Sequence, residues 1–114
     1  MDNLSKKELQ AQYREREIIG GVYVIQNTLQ NKLLMDIDVN LRSSRNRFNF
    51  AVMTGSCVHP KLRTDWVEQK GQHFIFKTLE EIKKQESQSI SEFKGELELL
   101  QQMWLEKLAG ETFY

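Results

Sequence analysis

Three arginines and two further cations crowd one short stretch of the chain: Arg42, Arg45 and Arg47, followed by Lys61 and Arg63. A guanidinium is a planar fork of N–H donors that matches the oxygens of a phosphate, and an ammonium adds a compact point charge. The five residues are therefore a candidate phosphate-binding cluster. The plain alternative is a solvated helix face, the ordinary meaning of a run of charges. Nearby, Cys57 and His59 stand two residues apart, a pairing that a thiol nucleophile and its base would need. No acid stands beside them to orient the imidazole, and a lone cysteine is far more often a small buried hydrophobe, so Cys57 is expected in the interior and inert. His59 and His73 are too isolated to argue for a metal site. With a single cysteine, neither an intrachain disulfide nor a thiolate zinc site can form, and a reducing compartment is the natural setting.

Sixteen lysines and arginines are balanced by 16 aspartates and glutamates, for a net charge of zero. A protein that holds nucleic acid by bulk electrostatics carries a basic excess, so any such contact must come from a local patch. The 114 residues, 39% of them hydrophobic, suffice for one domain with a real core. The opening residues, MDNLSKKELQ, hold no apolar core of signal-peptide type, and no run approaches the ~20 apolar residues of a membrane-spanning helix. The expectation is a soluble, cytoplasmic protein without membrane contact.

Turn signals and periodicity place these residues on elements. Ser5 and Glu8 have capping-box spacing, which predicts a charged helix to about Glu17, an N-terminal helical extension over residues 1–19 with a narrow stripe of Leu4, Leu9 and Tyr13. Gly20-Gly21 stops it. Two β-rich runs follow, Val22–Ile25 and Leu33–Ile37, with turn formers from Asn27 to Asn31 between them. They read as a hairpin in which Asn31 takes the left-handed conformation. Asn40 is placed to cap a helix with a basic face that reaches Met53 and is ended by Thr54-Gly55-Ser56. Pro60 suits the first turn of a second helix to about Gln69, with Leu62, Trp66 and Val67 inward and Gly71 as the stop.

His73–Leu79 reads as a strand with apolar residues on both faces, hence a central one. From Ser89 on, Ile90, Phe93, Leu97, Leu100, Trp104 and Leu108 recur at three- and four-residue steps, the mark of an amphipathic helix. Residues 110–114 are expected to fray as a tail. The sum is an α+β domain over residues 20–109, with a small three-stranded sheet (the hairpin plus one later strand) flanked by helices.

Gly21-Val22-Tyr23-Val24-Ile25-Gln26-Asn27 resembles the first motif of the GIY-YIG nuclease superfamily. Leu62-Arg63-Thr64-Asp65-Trp66, Gly71, Phe74-x-Phe76 and Leu79-Glu80-Glu81-Ile82 are similar to a later stretch of that family, and Trp104-Leu105 to a Trp-Ile pair in its last helix. Each motif is short; their order and spacing from Gly20 to Leu108 carry the resemblance. It implies metal-assisted phosphodiester hydrolysis. A tyrosine of the first motif helps activate water, an arginine steadies the phosphate's charge, and a glutamate on the last helix holds one divalent metal, Mg2+ or Mn2+.

Carried onto this chain, the resemblance makes Tyr23 and Arg45 or Arg47 the candidate catalytic residues. Arg42, Arg45, Arg47, Lys61 and Arg63 become candidate nucleic-acid contacts. The second motif is replaced by Leu34-Met35-Asp36, without its tyrosine and glycine. At the glutamate position, three residues before Trp104, stands Gln101, a neutral amide and a poorer ligand for a hard cation. Glu98, one helical turn earlier, is the substitute on offer. The resemblance also implies that Tyr23, Arg45 or Arg47, and Gln101 line one cleft.

Three functions remain open on these residues. The first is a DNA- or RNA-binding protein with a GIY-YIG-like fold and an impaired or inactive phosphodiesterase site that binds Mg2+ or Mn2+ weakly. The second is an active divalent-metal-dependent endonuclease that uses Glu98 or another carboxylate. The third is a protein-interaction module that reuses the fold. The arginines favour the first, and the zero net charge favours the third.

Overall fold

The structure, a computed structural model, describes residues 17–69 and 71–114. Strands β1 (Ile19–Asn27) and β2 (Lys32–Asp38) form the hairpin, followed by helix α1 (Leu41–Thr54). A 3-10 turn (Pro60–Leu62) leads directly into helix α2 (Arg63–Gln69). Strand β3 (Phe74–Lys83), helix α3 (Ile90–Lys107) and a short strand β4 (Thr112–Phe113) complete the chain. The helical extension expected over residues 1–19, with its Ser5–Glu8 box, lies outside the described residues except at 17–19.

Local chemistry fixes most boundaries. Asn31 turns the hairpin with a φ of 55°, the left-handed conformation its short amide tolerates. At the start of α1 the Asn40 side chain accepts from Ser43 N at 3.2 Å, and at its end Gly55 (φ 77°) returns its N–H to Ala51 O at 2.9 Å. Ser89 opens α3 with a reciprocal capping box to Glu92.

The sheet has four strands in the order β3-β1-β2-β4, one more than the sequence suggested. The additional strand comes from the segment expected to fray. Thr112 and Phe113 pair in parallel with Lys32 and Leu33, and Tyr114 N donates to Leu33 O at 2.9 Å. The central strand is β1, whose residues from Gly21 to Ile25 are all buried, and not the later strand. On β3 the apolar residues of the second face do not signal a second covered face. Ile75 is 39% exposed, and Leu79 is the extra residue of a bulge, because Val22 pairs with Glu80 while Tyr23 pairs with Thr78.

Alternation along β1 separates two cores. Tyr23, Ile25, Leu34 and Phe74 face α1 and α2, packing with Leu41, Phe48, Ala51, Leu62 and Trp66. Val22 and Val24, on the opposite face, are buried with α3, whose Phe93 and Leu97 are fully enclosed. The two glycines of the first motif report the same division. A Cβ on Gly20 would meet Phe93 of α3 at 2.9 Å, whereas one on Gly21 would meet Leu41 of α1 at 2.8 Å and collide with the carbonyl of Glu80. Glycine at both positions lets neighbouring backbone approach the hairpin closely.

Candidate functional site

Strand β1 delivers Tyr23 to the α1 face, where its ring stacks on Phe76 with centroids 4.7 Å apart and planes at 21°. Helix α1 crosses above. Leu41, Ser44, Phe48 and Ala51 form its buried stripe, and Arg45 and Arg47 leave from the two flanks of that stripe. Arg45 leans to β3: its Nη2 donates to Thr78 Oγ1 at 3.1 Å and its guanidinium carbon lies 5.8 Å from the Phe76 ring centre. Arg47 leans to the end of β2, where Nη2 lies 3.0 Å from Asp38 Oδ2 and 3.1 Å from Ser44 Oγ. Ser44 donates a short hydrogen bond to that same Asp38 oxygen, and Asn40 N donates to the other at 2.9 Å. Arg45 thus reaches the β3 side of Tyr23 and Arg47 the β2 side.

The electrostatics of this group are closed inward. Burial raises the Asp38 carboxyl, but the bonds from Ser44 and Asn40 and the Arg47 charge outweigh it and hold the group below its ordinary value. Burial also pushes the Tyr23 phenol up, assisted by the charges of Asp36 and Asp38 and opposed by a hydrogen bond with Ser44 and by Arg47. A phenol that holds its proton more tightly is less often the phenolate that could take a proton from water near neutral pH. Tyr23 keeps 8% of its surface accessible. Asp36, at the position of the missing glycine, pairs with Tyr23 and accepts from its neighbour's Ile37 N at 2.8 Å.

The other candidates are not brought to this place. Arg42 is exposed on α1. Lys61 and Arg63 are exposed on the 3-10 turn and the first turn of α2. Helix α2 packs through Trp66 against Phe74, at the Asn27 end of the sheet and away from the Asp38–Arg47 pair. Gln101 and Glu98 ride on α3, which covers the face opposite the Tyr23 ring. The expected cleft joining Tyr23, an arginine and Gln101 is therefore not formed. The physical reason is strand parity: Tyr23 and the valines beside it point to opposite sides, and α3 packs on the valines. Trp104 marks the same face, donating Nε1–H at 2.8 Å to Glu80, the partner of Val22.

Cys57 is exposed, not interior, and its thiol donates to the His59 carbonyl at 2.9 Å. The His59 ring is occupied as a cap, Nδ1 accepting from Lys61 N at 3.1 Å, so the pair is not a nucleophile and base. Val67, expected inward, is 67% exposed. Two residues of the Tyr23 network, Asp38 and Ser44, escaped the sequence reading. The available signal was helical spacing, since Ser44 shares the 41–44–48–51 stripe with three apolar residues.

A hairpin opening on Gly21-Val22-Tyr23, covered by helices on both faces, defines an α+β domain of GIY-YIG-like fold. Among solved structures, a mutant form of the catalytic domain of intron endonuclease I-TevI is similar over 81% of this chain and 86% of that one, with a TM-score of 0.56 and 23% identity. No family model matches the chain, and no curated protein does.

Among the described residues, no group of three or more His, Cys, Asp or Glu side chains is arranged to hold a metal ion. Asp38, a carboxylate of the Tyr23 network, already serves Ser44, Asn40 and Arg47. No helix among the described residues is long and apolar enough to cross a membrane.

Proposed function

We propose that this chain is a nucleic-acid-binding protein of GIY-YIG-like fold whose phosphodiesterase site is inactive. The observation that carries the reading is the pair Arg45 and Arg47 on either side of Tyr23. Two guanidiniums at that spacing suit a phosphate backbone crossing α1, with Arg42 one turn before Arg45 extending the same surface. The inactivity follows from chemistry already described: a phenol whose proton is held tightly, a spent Asp38 carboxylate, Leu34 and Asp36 in place of the second motif, and a neutral Gln101 on the far helix. The fold shared with an intron endonuclease catalytic domain supports nucleic acid as the partner class.

Binding to a fluorescent 20-base-pair DNA duplex and to the matching RNA, measured by anisotropy across a salt series, tests the reading. The expectation is affinity that falls steeply with salt, and a slope flattened by about two to three when Arg42, Arg45 and Arg47 are all alanine. Plasmid incubated with magnesium or with manganese should remain un-nicked. Saturable binding absent even at low salt would overturn the nucleic-acid reading. Nicking that vanishes in Tyr23→Phe would overturn the inactivity.

A further inference from the structure

Strand β3 is an edge strand of ten residues, and among the described residues no other strand lies along the outer side of its Phe74–Thr78 stretch. Its polarity follows from the ladder. Thr28 N donates to His73 O at 2.8 Å, so this pair is a hydrogen-bonded one. Antiparallel ladders alternate, so Ile75 and Lys77 exchange bonds with β1, while Phe76 and Thr78 aim their N–H and C=O groups outward, as does the Phe74 carbonyl; the Phe74 N–H is taken by Gly71 O at 3.4 Å.

Those three residues also present their side chains to the α1 face, beside a groove of about 360 Å³ lined by Arg45, Phe48, Asn49, Val52, Phe74 and Phe76. Three aromatic rings and a valine make its wall apolar, and Arg45 stands at its mouth. Among the described residues Arg45 donates to one side-chain acceptor, Thr78 Oγ1; a guanidinium carries five donors. Arg42, exposed one turn earlier, adds to the positive field there.

We propose that this edge and groove bind an extended peptide segment, which adds one more strand to the sheet beside β3. Residues directly opposite one another in a ladder share a face. The peptide residue opposite Phe74 is therefore apolar and enters the groove. A residue two or four positions away, opposite Phe76 or Thr78, is a carboxylate that pairs with Arg45. Backbone bonds supply the attachment, and the groove and Arg45 supply the choice of sequence. The surface shares Arg45 and Arg42 with the nucleic-acid reading but does not involve Asp38, Arg47 or the Tyr23 phenol, so the peptide and duplex arms of the test tell the two apart.

The probe is a fluorescein-labelled peptide of alternating pattern, Leu-Thr-Glu-Thr-Leu-Thr-Glu, which offers both chain directions. Controls carry lysine for glutamate, or N-methyl groups on the residues that would face β3. Titrated into 15N-labelled full-length protein, the glutamate peptide should shift the amides of Phe74, Phe76 and Thr78 saturably, and the N-methyl peptide should not. Arg45→Glu should weaken the glutamate peptide at least about tenfold, the loss of one charge-assisted contact, and turn the preference toward the lysine peptide. Equal binding of the lysine peptide to the wild type, or no saturable β3 shift at about 1 mM peptide, a concentration that reports only about 4 kcal/mol of binding, overturns the proposal. Broadening of the same amides with protein concentration alone would assign the edge to a second copy and overturn it. Shifts there with a DNA duplex but not with peptide would do so in favour of nucleic acid.

Discussion

Arg47 Nη2 lies 3.0 Å from Asp38 Oδ2, and the two side chains differ sharply in exposure, 62% for the arginine against 17% for the aspartate. The pair is therefore asymmetric in energy. An exposed guanidinium loses little when its partner is removed, typically below about 1 kcal/mol. The sheltered carboxylate also holds the Asn40 N–H and the buried Ser44 hydroxyl, so its loss strands a buried group.

Asp38→Asn should lower stability by about 2 kcal/mol at pH 7, against about 0.5 kcal/mol for Arg47→Ala, in urea denaturation. The pH dependence has a defined sign. Because the folded carboxyl is depressed, its contribution is complete above the ordinary value of 3.8 and is lost as pH falls through the lower folded value. The gap between wild type and Asp38→Asn should close over that acid range. A gap that stays constant down to pH 2 would show that the carboxylate is not what stabilises this corner.

Tyr23→Phe keeps the stack on Phe76 and removes the bond with Ser44, so a cost of about 1 kcal/mol is expected near neutrality. The phenol is raised above 10.0 when folded, so its contribution is intact below that value and is lost as pH rises through the folded one. The penalty of Tyr23→Phe should accordingly shrink in urea midpoints taken above pH 10. The opposite trend would mean that the phenolate, not the phenol, is favoured in the site.

At the other end of the sheet, Tyr114 Oη accepts from Asn27 Nδ2 at 2.9 Å and donates to Asp65 Oδ2 at 2.8 Å. Burial, with the Asp65 contact and charge added, pushes this phenol up to about 12. Tyr114→Phe should erase the component near that pH in an absorbance titration of the tyrosines. It should also cost about 1–2 kcal/mol in thermal unfolding, because fully buried Asn27 loses a partner. A cost near zero would mean that β4 closes the sheet without this bond.

Gly21→Ala and Gly95→Ala should move stability in opposite directions. At Gly21 the new methyl meets the Glu80 carbonyl and the Leu41 side chain, both fixed by packing, and the hairpin cannot close against β3. At Gly95, inside α3, nothing lies within 4 Å of the new methyl, and alanine should stabilise by about 0.5–1 kcal/mol. Thermal melts of the two variants against wild type decide the matter.

Which features were legible follows from where the information resides. The Asn40 and Ser89 caps, the Gly55 stop and the Asn31 turn are local, and the residues that make them are adjacent in sequence. The stacking of Tyr23 on Phe76 was not legible, because it joins two strands about 50 positions apart, and the expectation of Arg45 or Arg47 near Tyr23 came from the family resemblance rather than from patterning. The central strand was misassigned because Ile75 and Leu79 carry apolar side chains for reasons of edge and bulge that composition does not distinguish. The shared cleft with Gln101 failed on a global quantity, the face of the sheet on which a distant helix docks. Strand β4 was invisible because two residues have no periodicity, and their partners Lys32 and Leu33 are 80 positions away.

The placement of β1 between partners close and distant in sequence has a kinetic consequence. Its pairing with β2 closes through a turn of a few residues, from Asn27 to Lys32, whereas its pairing with β3 must bring Phe74 to Asn27 across two helices. Loop closure disfavours the second far more than the first before packing compensates it. The hairpin thus assembles as the early folding unit, and the Trp66–Phe74 and Tyr23–Phe76 contacts form as β3 docks. In hydrogen exchange the β1 amides shared with β3 report the last barrier crossed. The β2–β4 junction, two residues long and at the margin, opens first.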